Sequence, residues 1–77
     1  MKSFLINSRY GEIGIIQISV DTFHLTCIVD GHSAIAIRDA AGKWTVTNGE
    51  GISTPKMIEG ASHVGELIEE ELQKTEA

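Results

Sequence analysis

Apolar side chains recur at every second position through most of the segment 13–46. Alternation of this kind places successive side chains on opposite faces of an extended strand. Turn-forming residues interrupt the segment at short, regular intervals, which is typical of antiparallel strands joined by tight turns. The segment therefore predicts an antiparallel sheet, and this feature constrains the fold more than any other in the chain.

The predicted sheet is a meander, in which each strand pairs with the next one along the chain. Glycine ends three of the predicted loops, at Gly11, Gly31 and Gly42, where it supplies the positive φ that side chains disfavour. Together with an opening apolar segment, these turns predict five strands, at 3–8, 13–20, 23–28, 33–38 and 43–47.

Loop length decides which residues of neighbouring strands face each other, and a shift of one residue turns every side chain of a strand over. We predict a three-residue loop at 9–11, a two-residue turn at 21–22 and a four-residue loop at 39–42. These loops are chosen because they match apolar residues across each pair of strands.

Two loops compete between the third and fourth strands. The pair Asp30-Gly31 is a favoured two-residue turn, but it would place Ile35 and Ile37 opposite polar residues. A three-residue loop, 29–31, keeps both isoleucines on the apolar face, and burial favours it. The resulting core face is predicted to contain Phe4, Ile6, Ile16, Ile18, Val20, Phe23, Leu25, Cys27, Ile35, Ile37, Trp44 and Val46.

After the sheet, the apolar spacing changes from two residues to three or four, which indicates a helix. Thr54 is the predicted N-cap and Pro55 the first helical residue. Glycine costs about 1 kcal/mol inside a helix, so we predict a break near Gly60. A short turn at 55–59 would then precede a helix at about 62–74.

One helix covering one face of a sheet is a two-layer α+β domain. The alternative is a sheet curled into a small open β-barrel beside the helix. The 77 residues fit one domain, 1–77.

The charge balance disfavours nucleic-acid binding, because eleven acidic residues oppose six dispersed basic ones. No apolar run is long enough for a membrane span or a signal peptide, so we expect no membrane partner and a cytoplasmic location. The single cysteine, Cys27, excludes an intramolecular disulfide.

No catalytic residue, cofactor site or metal site is predicted. The three histidines, His24, His32 and His63, fall on separate parts of the predicted fold, whereas a metal needs several converging ligands. Cys27 is predicted to point into the core, where cysteine acts as a small hydrophobe. Enzymatic activity is therefore the less favoured function.

The second face of the predicted sheet is mostly small and polar, but one end carries an aliphatic row. Its predicted members are Leu5, Ile15, Ile28 and His32, and Ile13 adjoins the row. A sheet face left in water normally carries polar residues, and apolar patches often mark interfaces. The row therefore predicts a non-enzymatic protein-binding or assembly module, and a homodimer that associates through this face is one form of it.

Two other hypotheses concern different surfaces. Glu66, Glu69 and Glu70 form an acidic helix face, which would suit an inhibitor or mimic that docks on a basic protein. A solvated helix surface explains the same residues without any partner. In a small enzyme or ligand-binding subunit, His24 or His32 would act across an oligomer interface.

Overall fold

The structure of the protein is a computed structural model that describes residues 2–28 and 31–76, the side chains of 75 and 76 excepted. Five strands pair in chain order as an antiparallel sheet, and one helix follows. The elements are β1 (Ser3–Ser8), β2 (Gly11–Ser19), β3 (Thr22–Cys27), β4 (Ser33–Arg38), β5 (Trp44–Thr47) and α1 (Pro55–Glu76). The two-layer α+β arrangement is confirmed, and the sheet stays open, so the barrel alternative is wrong.

The helix α1 begins where the sequence predicts. The Met57 N–H donates to Thr54 Oγ1 at 3.2 Å, and the Ile58 N–H donates to the Thr54 carbonyl at 3.0 Å. The first bond satisfies a donor that a helix start leaves without an intrahelical partner, and the second is the first i→i−4 bond of the helix. The helix continues through Gly60, so the predicted break is wrong. The ring of Tyr10 packs against Gly60 so closely that a Cβ there would lie 2.7 Å from it.

The loop between β1 and β2 is one residue shorter than predicted. Ser8 faces Gly11, which leaves Arg9 and Tyr10 as a two-residue loop. Gly11 has the predicted positive φ, 108°. Because the loop is shorter, Phe4 faces Ile15 instead of the predicted Ile16, so all side chains of β2 are turned over.

The pairing of β2 with β3 also differs from the prediction. The turn lies at 20–21 instead of 21–22, and Ile18 forms a bulge between Gln17 and Ser19. Bulges of this kind insert one residue that has no partner in the opposite strand. Ile15 consequently faces Leu25, which places these two side chains on the same, helix-covered face.

The fourth strand also presents the side opposite to the predicted one to α1. The Cys27 N–H donates to the His32 carbonyl at 2.8 Å, so four residues, 28–31, connect β3 to β4. Val29 and Asp30 of the predicted three-residue loop lie outside the described residues. The next loop is one residue longer than predicted, and Arg38 faces Trp44. As a result, β1, β3 and β5 present the predicted sides to α1, whereas β2 and β4 present the opposite sides.

Side-chain volume explains why β4 turns alanines to the core. The rings of Phe23 and Trp44 pack with centroids 5.4 Å apart, and Ala36 is fully buried between their strands. Interiors are close-packed, so two large rings leave room only for a small neighbour. The buried apolar residues are Ile6, Ile13, Ile15, Phe23, Leu25, Ala36, Trp44, Val46, Ala61, Val64 and Ile68.

The predicted core is therefore wrong at five positions. Ile16, Ile18, Val20 and Ile37 are exposed, and Ile35 is half-buried on the face away from α1. Cys27, another predicted core residue, is also only half-buried. The remaining predicted core residues face α1, because their strands have the predicted orientation.

Candidate functional site

The sheet has one face that α1 does not cover, here called the open face. The central row of this face crosses all five strands and contains Ser3, Ile16, His24, Ile35 and Thr47. His24 is half-buried between two isoleucines from the neighbouring strands. The middle of the open face is therefore aliphatic, with one histidine at its centre.

A shallow hollow lies beside this row, where the open face contains Gly14. A Cβ at Gly14 would be 3.7 Å from both Leu5 Cδ2 and Ile28 Cδ1, so two aliphatic side chains flank the glycine. The hollow has a volume of about 290 Å³ and is also bordered by Ile16 and Thr26. It forms because glycine and threonine are small, while the side chains around them project.

On the other side of the central row, Ile37 stands between two threonines. Thr22 faces Ile37 across β3, and Thr45 faces it across β5. Ile37 is 42% exposed. With Ile35, it makes β4 a projecting aliphatic ridge on the same face as the hollow.

The predicted interface residues separate into three groups. Leu5 and Ile28 lie on the open face and are exposed. The predicted position of Ile13 and Ile15 is wrong, because both are buried beneath α1. The predicted position of His32 is also wrong, since this residue is exposed on the side of the sheet that carries α1.

Sequence reasoning missed Ile16, Ile35 and Ile37 as residues of the open face. Their strands carry apolar side chains at both odd and even positions, so alternation gives no orientation. The available signal was size: alanines alternate with isoleucines in β4. Phe23 and Trp44 are large core residues of the strands on either side of β4. The smaller residues of β4, its alanines, therefore fit on the core side.

The predicted acidic helix face is only partly available to a partner. Glu66 and Glu70 are exposed, but Glu69 Oε1 accepts a hydrogen bond from Arg38 Nη1 at 3.1 Å. This ion pair neutralises one of the three carboxylates. No contact among the described residues favours docking on a basic protein.

Arg38 joins the sheet to the second half of α1. Its Nε donates to Asp21 Oδ1 at 3.2 Å, and its guanidinium lies 5.6 Å from the centroid of the Trp44 ring. The hydrogen bond to Glu69, followed by the contacts with Asp21, raises the pKa of Arg38 against the opposing effect of burial. Because the pKa in the folded state is raised, this contribution to stability is complete at neutral pH. It would be lost only as the pH rises through the raised value.

We expect Arg38→Met to lower the free energy of unfolding by about 1 kcal/mol, because the ion pairs are partly exposed and the ring contact adds to them. The methionine keeps much of the apolar stem. Urea unfolding at low and high salt measures the loss, which should shrink in high salt. Lys43→Met, at an exposed lysine, is the control, and an equal loss in both variants would contradict the bridging role.

The histidines occupy three different environments. His24 lies on the open face, while His63 Nε2 accepts a hydrogen bond from the Arg9 N–H at 3.2 Å and ties α1 to the first loop. His32 pairs with Cys27 through the backbone. In the described ranges, no group of three potential metal-ligating side chains comes together.

None of the helical structure described for the chain is long and apolar enough to cross a membrane. Comparison of the chain with protein-family models, with curated proteins and with solved structures finds no match.

Proposed function

We propose that this domain is an assembly module that forms a homodimer, with the open face of one copy packed against the open face of the other. The observation that carries the proposal is the central row, in which the exposed Ile16 and the half-buried Ile35 lie on a sheet face that no described element covers. Apolar surface of this extent is costly in water and marks interaction sites on soluble proteins.

The shape of the open face supports a second copy as the partner. Two-fold association presents the same patch on both subunits, so each subunit must carry both halves of a complementary pair. The open face has the hollow at Gly14 and the ridge formed by Ile35 and Ile37. In a two-fold dimer, each ridge approaches the hollow of the other subunit, and the contact is made twice.

The size of the open face also suits a dimer. Strand spacing and rise give a face about 24 Å wide and about 20 Å long, which is about 480 Å² in projection. Projecting side chains increase its accessible area, and a stable interface buries about 800 Å² per partner. The dimer must therefore use nearly the whole face, as two sheets do when they pack about 10 Å apart.

Charge does not oppose this arrangement. The central row contains no acidic or basic residue apart from His24. Glu12 lies near one end of β2, and Lys43 immediately precedes β5. Interfaces are depleted in charge at the core and polar at the rim, and the open face has the same distribution.

Ile16→Glu and Ile37→Glu are expected to convert the dimer to a folded monomer, because each would place a carboxylate in the apolar centre of the interface. Light scattering coupled to size exclusion, over a hundredfold range of protein concentration, gives the mass of each variant. Circular dichroism establishes that the monomeric variants remain folded.

Ile58→Glu is the matched control, since Ile58 is exposed at 68% but lies on α1 and not on the open face. It should leave the dimer intact. A wild-type chain that remains monomeric at several hundred micromolar would contradict the proposal. An equal loss of mass in the Ile58→Glu variant would also contradict it.

A further inference from the structure

A cavity of about 370 Å³ lies between the first half of α1 and the helix-facing side of the sheet. Its buried side chains are aliphatic, among them Ile13, Leu25 and Val64. The exposed residues that line it are polar, namely His32, Ser33, Thr54 and Lys56. The cavity therefore has an apolar floor and a polar mouth.

The charge at the mouth is opposite in sign to that of the whole chain. Lys56 supplies a positive charge there, and no aspartate or glutamate is among the described residues that line the cavity. The net charge of the protein is -5. The first turn of α1 also contains no acidic residue, and the start of a helix favours negative charge. The mouth is therefore suited to an anion.

The volume indicates the size of a ligand. An apolar cavity of about 150 Å³ holds benzene, and most ligand pockets measure about 300–1,000 Å³. By the same scale, the cavity holds roughly fifteen non-hydrogen atoms. Ala34 helps to create this space, because this lining residue is small and a larger side chain on the helix-facing side of β4 would enter it.

We propose that the cavity binds a small amphiphilic monocarboxylate, with the apolar chain against the floor and the carboxylate at Lys56. The aliphatic floor excludes a strongly polar ligand, because its hydrogen-bonding groups would lose water without gaining partners. The Lys56 ammonium lies 5.9 Å from the centroid of the Tyr10 ring, which holds the cation at the mouth. This site is on the opposite side of the sheet from the open face and does not depend on dimer formation.

A titration with octanoate tests the proposal in two-dimensional 1H–15N NMR spectra of the full chain. Saturable shifts are expected at the amides of Tyr10, Cys27 and Met57. The matched neutral compound, octan-1-ol, should bind about three- to fivefold more weakly, as expected for one exposed ion pair and a helix start. Lys56→Gln should reduce this preference to about twofold or less.

Lys43→Gln is the control variant, because this lysine is exposed but does not line the cavity. It should keep the full preference for octanoate. Equal binding of octanoate and octan-1-ol by the wild-type chain would overturn the assignment of an anion. An effect of Lys43→Gln as large as that of Lys56→Gln would do the same.

Two further measurements locate the ligand. Ala34→Leu should abolish the saturable shifts by filling the cavity, and its NMR spectrum reports whether the variant is folded. In the unchanged chain, octanoate should slow the alkylation of Cys27 by iodoacetamide to a plateau, because Cys27 lines the same cavity. Shifts that do not saturate, or that map to Ile16 and Ile37 on the open face, would overturn the proposal. An alkylation rate that octanoate leaves unchanged would also overturn it.

Discussion

Ile15→Glu is expected to unfold the domain. Ile15 is 1% exposed and faces Leu25 beneath α1. The substitution removes an aliphatic side chain from the core, at a cost of about 2–5 kcal/mol. It also buries a carboxylate without a partner, which adds several kcal/mol. A domain of this size has a free energy of unfolding of about 4–12 kcal/mol, so these costs together exceed or nearly exhaust it.

The neighbouring substitution Ile16→Glu is the matched control, since Ile16 is 44% exposed on the open face. Circular dichroism and one-dimensional NMR, at a concentration where the chain is monomeric, should show that this variant is folded. Its free energy of unfolding should be lower than that of the wild type by about 1 kcal/mol. The comparison tests the register of β2 directly. A folded Ile15→Glu variant beside an unfolded Ile16→Glu variant would mean that β2 has the opposite orientation.

Gly65→Ala is expected to destabilise the protein by about 2 kcal/mol, although alanine is the better helix former by about 1 kcal/mol. A Cβ at Gly65 would lie 2.2 Å from two atoms of the Trp44 ring. The ring has little freedom to move, because it packs against Phe23 and lies beneath Arg38. Either α1 or the ring must therefore shift, and the overpacking cost exceeds the gain in helix propensity. Urea unfolding measures the net change.

Gly60→Ala controls for helix propensity within the same helix. A Cβ there would meet the ring of Tyr10, a half-exposed residue in a loop, which can move away at lower cost. We expect its destabilisation to be well below that of Gly65→Ala. Trp44→Leu should make the destabilisation by Gly65→Ala smaller, because substitutions at residues in contact do not have additive effects on stability. Strictly additive effects would contradict the proposed clash.

The strands and the start of the helix could be predicted because local chemistry determines them. As predicted, glycines with positive φ lie in or next to the connections between strands, at Gly11, Gly31 and Gly42. Thr54 caps α1. The continuity of α1 could not be predicted, because the penalty at Gly60 is local whereas the contact with Tyr10 comes from a distant segment.

The sequence predicts that one face of the sheet is uncovered and partly apolar, but it does not identify most of the residues on that face. Leu5 belongs to it, because β1 is oriented by Phe4 and Ile6 on the other side. The prediction places Ile13 and Ile15 on this face only through the register of a single loop, the one between β1 and β2. Each loop differed from its predicted length or position, and each odd shift turned the following strand over. A second odd shift turns the next strand back to its predicted side. The errors therefore fall on β2 and β4, whereas β3 and β5 have the predicted sides.

The sequence by itself determined the order of the elements, the glycines that adopt positive φ in three of the turns, and the sides of β1, β3 and β5. In β3 and β5, large apolar residues alternate with polar ones, as in Phe23-His24-Leu25 and Trp44-Thr45-Val46. The tertiary structure alone decided the sides of β2 and β4, where both sets of alternating residues include apolar ones. Packing against Phe23 and Trp44 placed Ala36 inside, and Ile35 and Ile37 therefore lie on the open face. The physical reason is that alternation reports which residues share a side, whereas the volume available in the core decides which side is buried.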